Sequence, residues 1–449
     1  MKKRFLFCVV GIFLSMVIQR HCNAEETLDL EELIQEALTK NPEVGVLQGK
    51  TSALWERPSQ ARSWEDPKLT FGVTNLPVDD FDFNKQDMTQ KTVSISQQVP
   101  FPGIKSLKGR VAVEEAKGAE QELEQAKTSI VREVKKAYFE LYFVNESLKI
   151  TEANEDLLKQ FVEFIQIKYE LGKGLQEDIL KARVELYKLQ EKLITLNQAR
   201  TTIQAQLCRL LNRDVSMTLS GTPLLKSTEF SFTPEELEAL ALENNPALKA
   251  LQHGIERSEA EHSLARKQYV PQFTISASYG QRDNRLDARP FPAKVTNAAD
   301  GSSNNVIVTP LSDDRHRPDF FSFLVGVNIP LWFKSKQSKR VAETYHRISQ
   351  TRSQYESMKN DIFFLMRDYN ARVARNRDLV HLYRDSIIPQ ATQALDADIV
   401  AYQVAKIDFL TLLTSQVTLF NYEIEYHRVM KDYEKDLAEL EAVVGKRIF

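Results

Sequence analysis

Apolar residues return at helical spacing through the first part of the chain, with Leu33, Ala37, Val44, Leu47 and Leu54 on one stripe. That spacing predicts a helix from about Leu30 to Asp66, ended by Asp66-Pro67. The period then changes to two. Leu69, Phe71 and Val73 alternate with Thr70 and Thr74, and beyond a polar loop Val93, Ile95 and Val99 alternate with Thr92, Ser94, Ser96 and Gln98. This pattern predicts a hairpin of strands at about 68–76 and 91–99, apolar on one face and polar on the other. From Ile104 to Glu170 there is no proline, and heptad-like spacing of Val111, Ile130, Val134, Leu141, Leu148 and Ile165 predicts one coiled-coil helix. At 1.5 Å per residue it would be about 100 Å long. After Leu171-Gly172-Lys173-Gly174 a shorter helix is predicted over Gln176 to Asn212.

The pattern is then repeated. Glu31-Glu32-Leu33 through Asn41-Pro42 returns as Glu235-Glu236-Leu237 through Asn245-Pro246, and Val99-Pro100-Phe101 returns as Ile329-Pro330-Leu331. Tyr169 with Asp178-Ile179-Leu180 is echoed by Tyr402 with Thr411-Leu412-Leu413. Such self-similarity implies two copies of one supersecondary unit. The second copy predicts a helix from Pro234 to Gln268, strands at about 271–281 and 319–329, and helices from Lys334 to Gln403 and from Asp408 to Val444. Between its strands, Gln281 to Pro318 reads as a long polar loop, and Arg213 to Phe232 as a connector. The resulting division is a leader at 1–24, a first repeat at 25–230 and a second at 231–449.

Composition sharpens this picture. Only 15 glycines and 16 prolines interrupt 449 residues, as long helices require. Met1-Lys2-Lys3-Arg4, the apolar run Phe5 to Ile18 and Cys22-Asn23-Ala24 read as an export signal cleaved before Glu25. Loss of Lys2, Lys3, Arg4 and Arg20 with it takes the formal charge from −3 to −7, which opposes nucleic-acid binding. Cys208 then stands alone, so no intrachain disulfide is expected. Beyond the leader no apolar run reaches the roughly 20 residues of a membrane-spanning helix, so entry into a membrane would have to be by strands. Four strands are too few to close around water, and an open edge in hydrocarbon leaves backbone groups unpaired. Several chains would each have to contribute four strands to one barrel.

The junction Gln98-Val99-Pro100-Phe101-Pro102-Gly103, the turn from Tyr169-x-x-Gly172 to Asp178-Ile179-Leu180-x-Ala182 and the paired hairpins resemble the TolC family of outer-membrane efflux proteins. The resemblance covers essentially the whole chain after the leader, and the junction is most similar to the heavy-metal branch that serves resistance-nodulation-division pumps. It implies a mainly α fold with membrane β: long coiled-coil hairpins and four strands per chain, assembled as a homotrimeric β-barrel in the outer membrane that continues into a periplasmic α-barrel. It also implies a periplasmic adaptor, an inner-membrane pump and contact with outer-membrane lipid. The function implied is passive conduction out of a Gram-negative cell, with heavy-metal cations as a candidate cargo. A protein-secretion duct of the same fold and a periplasmic coiled-coil scaffold are the alternatives, and the alternating apolar strands weigh against the scaffold.

The resemblance makes Leu171, Gly172, Lys173, Gly174, Val404, Ala405 and Lys406 the periplasmic tips that would meet an adaptor. A gate at the tips is usually acidic, yet Thr411 and Thr414 stand at the matching positions, which leaves Glu177, Asp178 and Asp408 as substitutes. Those acids equally suit helix N-termini, where a carboxylate complements the dipole. Thr92, Ser94, Ser96, Thr274, Ser276 and Ser278 are expected to face the barrel lumen, since alternation gives them one face and lipid disfavours them. Phe71, Phe273, Tyr279, Phe321, Trp332 and Phe333 are candidate interfacial aromatics. No catalytic residues, cofactor or metal site are expected. The histidines show no His-x-x-x-His spacing, and Gly103-Ile104-Lys105-Ser106 lacks the earlier glycine of a phosphate loop.

Overall fold

A computed structural model describes residues 28–79, 81–84, 86–217, 225, 228–284, 291–296, 301, 303–308, 316–404 and 406–448. The leader assigned to 1–24 and the tip residue Ala405 lie outside the described residues. The chain order is α1 (Leu30–Lys40), α2 (Pro42–Arg62), β1 (Lys68–Thr74), β2 (Gln90–Val99), α3 (Ile104–Glu170) and α4 (Gln176–Leu210). There follow α5 (Pro234–Asn244), α6 (Pro246–Lys267), β3 (Gln272–Gln281), β4 (Phe291–Thr296), β5 (Ser303–Val308), β6 (Phe320–Asn328), α7 (Gln337–Leu382), α8 (Ile388–Gln403) and α9 (Phe409–Val444).

Two compact units result, and each draws on both halves of the sequence. One comprises Met1–Ser52, Lys117–Gln252 and Ser353–Phe449, the other Ala53–Ala116 and His253–Arg352. The first is wholly helical in its described elements. Its core shows the repeat directly: Leu33 and Ala37 of α1 are buried with Val134, Tyr138 and Leu211, while Leu237 and Ala241 of α5 are buried with Ile362, Met366 and Leu440. Each buried leucine is worth about 1.5–3 kcal/mol over its exposed state.

The single helix expected over 30–66, and its counterpart over 234–268, are both broken. Asn41 and Asn245 adopt extended backbone angles (ψ 124° and 118°), and α2 and α6 restart at Pro42 and Pro246. A proline disfavours helical geometry in the residue before it, and its missing N–H is harmless at the first position of a helix. The asparagines make the break specific. Asn41 Nδ2 donates to Leu210 O at 2.9 Å and Asn245 Nδ2 to Val443 O at 2.7 Å, so each ties the break to the last helix of its own half. That last helix ends in both halves at a left-handed residue, Asn212 (φ 54°) and Gly445 (φ 80°). At Gly445 a Cβ would lie 2.6 Å from Pro246 Cδ, so glycine is required by space as well as by angle.

The second unit carries an antiparallel sheet in the order β1-β2-β3-β6. Its four strands fall where the period-two pattern places them. The stretch 281–318 differs from expectation, because within it β4 and β5 pair from Phe291↔Val308 to Thr296↔Ser303, giving six described strands in place of four. The helix expected from Lys334 to Gln403 begins at Gln337 and is interrupted by a π-turn at Tyr383–Ile387. Pro389 explains the interruption, since it has no N–H to return to the preceding turn.

Candidate functional site

The sheet has two chemically distinct faces, fixed by register. Phe71, Val93, Tyr279 and Phe321 form one cross-strand row, and Leu69, Ile95, Ala277 and Phe323 the next. Val99, Phe273 and Val327 form another row on that face near the far end of the strands. The alternate rows are polar: Thr70, Ser94, Ser278 and Ser322, then Lys68, Ser96, Ser276 and Leu324. Thr92 pairs with Gly280 and Gln98 with Thr274 on the same side. All six residues expected on the lumenal face therefore share one face, and Leu324 and Phe320 are apolar intruders on it. Gln98 Nε2 donates to Gln272 Oε1 at 2.6 Å across the first position of β3.

The apolar face is uncovered. Phe71 is 71% exposed and Phe321 73%, and Leu69, Ile95, Phe323 and Val325 are exposed with them. A soluble protein rarely leaves so contiguous an apolar patch in water. Among the described residues β1 pairs only with β2, and β6 only with β3, so the sheet also ends in two open edges. Lys91 is the one cation on the apolar side of β2; it lies at the loop end, where its ammonium reaches Asp283 at 2.9 Å. A long side chain at that position can carry its charge out of an apolar layer.

Beyond this end of the sheet, two arginines join loops that the polar pattern leaves undefined. Arg317, only 6% exposed, donates to Asn84 O at 2.7 Å and Gln86 O at 3.1 Å, and Arg282 donates to Asp87 O at 3.0 Å. Neither role has a signal in hydrophobic periodicity, because each partner is a backbone carbonyl remote in sequence.

At the helical turns of the other unit, α3 ends in a paired backbone motif. Lys173 N donates to Lys168 O and Gly172 N to Tyr169 O, both at 2.9 Å, with Gly172 at φ 72°. This is a Schellman cap, and glycine is its natural residue. In the second repeat Lys406 N donates to Ala401 O at 2.9 Å across the same six-residue reach. Leu171 and Val404 are exposed at these turns, as are Lys173 and Lys406. Beneath them Phe409, Leu413, Ile165, Ile179 and Ala182 are buried together, and Lys168 Nζ stands 4.0 Å from the centroid of the Tyr402 ring. The two turns are thus packed side by side on one apolar base.

Of the acids at the turns, one is a helix cap and two lie in a first helical turn. Asp408 caps α9, accepting from Thr411 N at 2.8 Å and Thr411 Oγ1 at 2.6 Å. These bonds hold its carboxyl below the usual range, the hydroxyl bond contributing most. Asp408 is nonetheless exposed, as are Thr411 and Thr414 on the same helix face, and Thr414 returns its hydroxyl to Leu410 O at 2.8 Å. Glu177 pairs with Lys181 one turn along α4, and Asp178 lies in the same first turn. Among the described residues no helix is long and apolar enough to cross a membrane.

A family model described as outer membrane efflux protein matches residues 33–213 and 237–446. The outer membrane protein TolC of Vibrio cholerae serotype O1 is 21% identical over 97% of this chain and 95% of its own length. The cobalt-zinc-cadmium resistance protein CzcC of Cupriavidus metallidurans is 19% identical, covering 80% of this chain and 79% of its own. Among solved structures, CusC superposes with a TM-score of 0.75 at 14% identity, over 93% of this chain and 92% of that one. The outer membrane protein VceC of Vibrio cholerae gives 0.74 at 16% identity, over 94% and 97%. At such identities the superpositions establish the fold.

Proposed function

The chain belongs to the outer membrane efflux protein family, and from that premise we propose that it is the exit duct of a tripartite efflux system, built from three copies. As a member of that family it is a passive channel of the outer membrane and not an enzyme. The observation that carries the finer reading is the uncovered apolar face of a four-stranded sheet with two free edges. Pairing β1 of one protomer with β6 of the next removes both edges at once. It also turns the apolar rows to lipid and encloses Thr92, Ser94, Ser96, Thr274, Ser276 and Ser278 around water.

The capped turn at 171–174, with Val404 and Lys406 of the second repeat, supplies the surface for a periplasmic adaptor. Exposed Leu171 and Val404 offer apolar contact, and Lys173 and Lys406 offer charge. Glu177, Asp178 and Asp408 lie one turn above, where threefold symmetry would multiply them into an acidic ring that favours cations. The helix-cap geometry of Asp408 does not compete with this role, because its carboxylate stays ionised and exposed. Heavy-metal cations are the proposed cargo, supported by the likeness to a cobalt-zinc-cadmium resistance protein and by the sequence of the strand-helix junction. An inner-membrane pump would supply the energy.

Two experiments test the reading. In planar bilayers the purified protein is expected to conduct, and neutralising Asp178 and Asp408 together to raise the current and lower cation preference; unchanged current and selectivity would remove these acids from the gate. Cells lacking the gene are expected to lose tolerance to cobalt, zinc or cadmium, whereas loss confined to dyes and drugs would exclude the metal cargo.

A further inference from the structure

The histidines offer no metal-binding spacing along the chain, but the fold assembles a donor set from distant positions. On α6, His253 and Glu256 are three residues apart and so leave the same helix face. On α3, Glu114 meets them: its Oε2 lies 2.9 Å from His253 Nδ1, and one ligand atom from each of the three residues falls within 4.8 Å of the others. Glu114 is only 5% exposed, so one of two neighbouring carboxylates has been taken out of water. A divalent ion bound between two neighbouring carboxylates offsets their mutual repulsion.

Other acids along these helices are engaged in ion pairs. Glu115, Glu259 and Glu261 are matched by Arg57 at 3.1 Å, Arg352 at 2.8 Å and Arg347 at 3.3 Å. Among the described residues no lysine or arginine is within ion-pair distance of Glu256. A nitrogen donor together with two carboxylates suits borderline divalent ions such as Zn(II) and Co(II), at about 2.0–2.2 Å from each ligand. Soft monovalent ions want thiolate or thioether, and the set contains neither.

We propose that Glu114, His253 and Glu256 bind one first-row divalent transition-metal ion per chain, with water completing the coordination. Closing the set requires only side-chain rotation, since the backbone already brings the three donors together. The ion would clamp the sheet-proximal parts of α3 and α6 within one unit, a role separate from the turns and from the lumenal face. The site rests on these three residues and holds whatever cargo the duct carries.

The test uses the full-length protein in detergent, freed of metal with a chelator and titrated with Co(II) alone. Binding at this site is expected to give visible d–d absorption of a low-symmetry nitrogen-oxygen complex, saturating at one ion per chain and displaced by Zn(II). Glu256→Gln, an isosteric change at a partly exposed position, and His253→Ala are each expected to weaken binding about 10-fold or more. His262→Ala, which loses only a hydrogen bond to Thr344, is the control and is expected to bind as the parent does. A spectrum no different from Co(II) in buffer, or equal binding by all variants, would overturn the site. Oligomeric mass and bilayer conductance of the parent protein are measured in parallel, so a conducting trimer that ignores Co(II) would refute this site and leave the duct intact.

Discussion

Single residues carry two kinds of information here, backbone geometry and buried charge. Gly172 holds a positive φ that an L side chain adopts at a cost of about 1–2 kcal/mol, so Gly172→Ala should loosen the α3 cap by that amount. Hydrogen exchange at the Lys173 amide reads it directly: faster exchange is expected there, with the helix core unchanged. Asp436 on α9 is the opposite case. Burial pushes its carboxyl up to about 6, while Asn376 donates to it at 2.8 Å. An acid whose folded pKa is raised favours the folded state below its unfolded value, and that favour is lost as pH rises through the folded value. Between about pH 4 and 6, then, Asp436 costs progressively more stability as it ionises. Asp436→Asn should raise the melting temperature at pH 7.5 by more than at pH 4.5, corresponding to about 1 kcal/mol once solvent screening of a half-buried group is allowed for. Equal shifts at the two pH values would contradict the assignment. The cluster of Glu114 with His253 belongs to the same scale, and no reading of the sequence could reach it, because the two residues are 139 positions apart.

Elements were legible where one physical signal dominated. The four strands of the main sheet stand out because period-two alternation with β-branched and aromatic residues has no helical interpretation, and register then places Ser94 and Val93 on opposite faces. That opposition makes a paired test. Val93→Lys should cost about 2–4 kcal/mol near the bilayer midplane, while Ser94→Lys, one residue on, should leave stability nearly unchanged and shift ion selectivity. Urea unfolding in lipid vesicles and single-channel recording measure the two effects; similar destabilisation by both would contradict the assignment of one face to lipid and the other to water. The helix breaks at Asn41 and Asn245 were hidden because the apolar stripe continues through them, and only the tie of each asparagine to a carbonyl of its final helix reveals why the chain bends there. The β4–β5 hairpin was hidden for another reason: it lies in a polar stretch where a two-stranded ladder leaves little hydrophobic pattern. Of the candidate site, the shared polar face of the sheet was readable from alternation, whereas the capping of α9 by Asp408 depends on the fold, since an acid before a helix reads alike as cap or gate.

At the scale of the whole molecule the account turns on incompleteness. A sheet with Phe71 and Phe321 bare to solvent, and with β1 and β6 each paired on one side only, is stable in neither water nor lipid as a lone unit. In the proposed trimer, association of three chains around one axis would close the sheet, and the same symmetry would bring the turns bearing Asp178 and Asp408 together around one opening. The arginine contacts of Arg317 and Arg282 with loop carbonyls then fall at the loop end of the strands, away from the junctions with the helices. Mass determination by light scattering of the purified protein in mild detergent, corrected for bound detergent, tests this most directly. A single species of three chains is expected, which loses solubility when detergent is withdrawn. A monodisperse monomer that remains soluble in plain buffer would contradict the account.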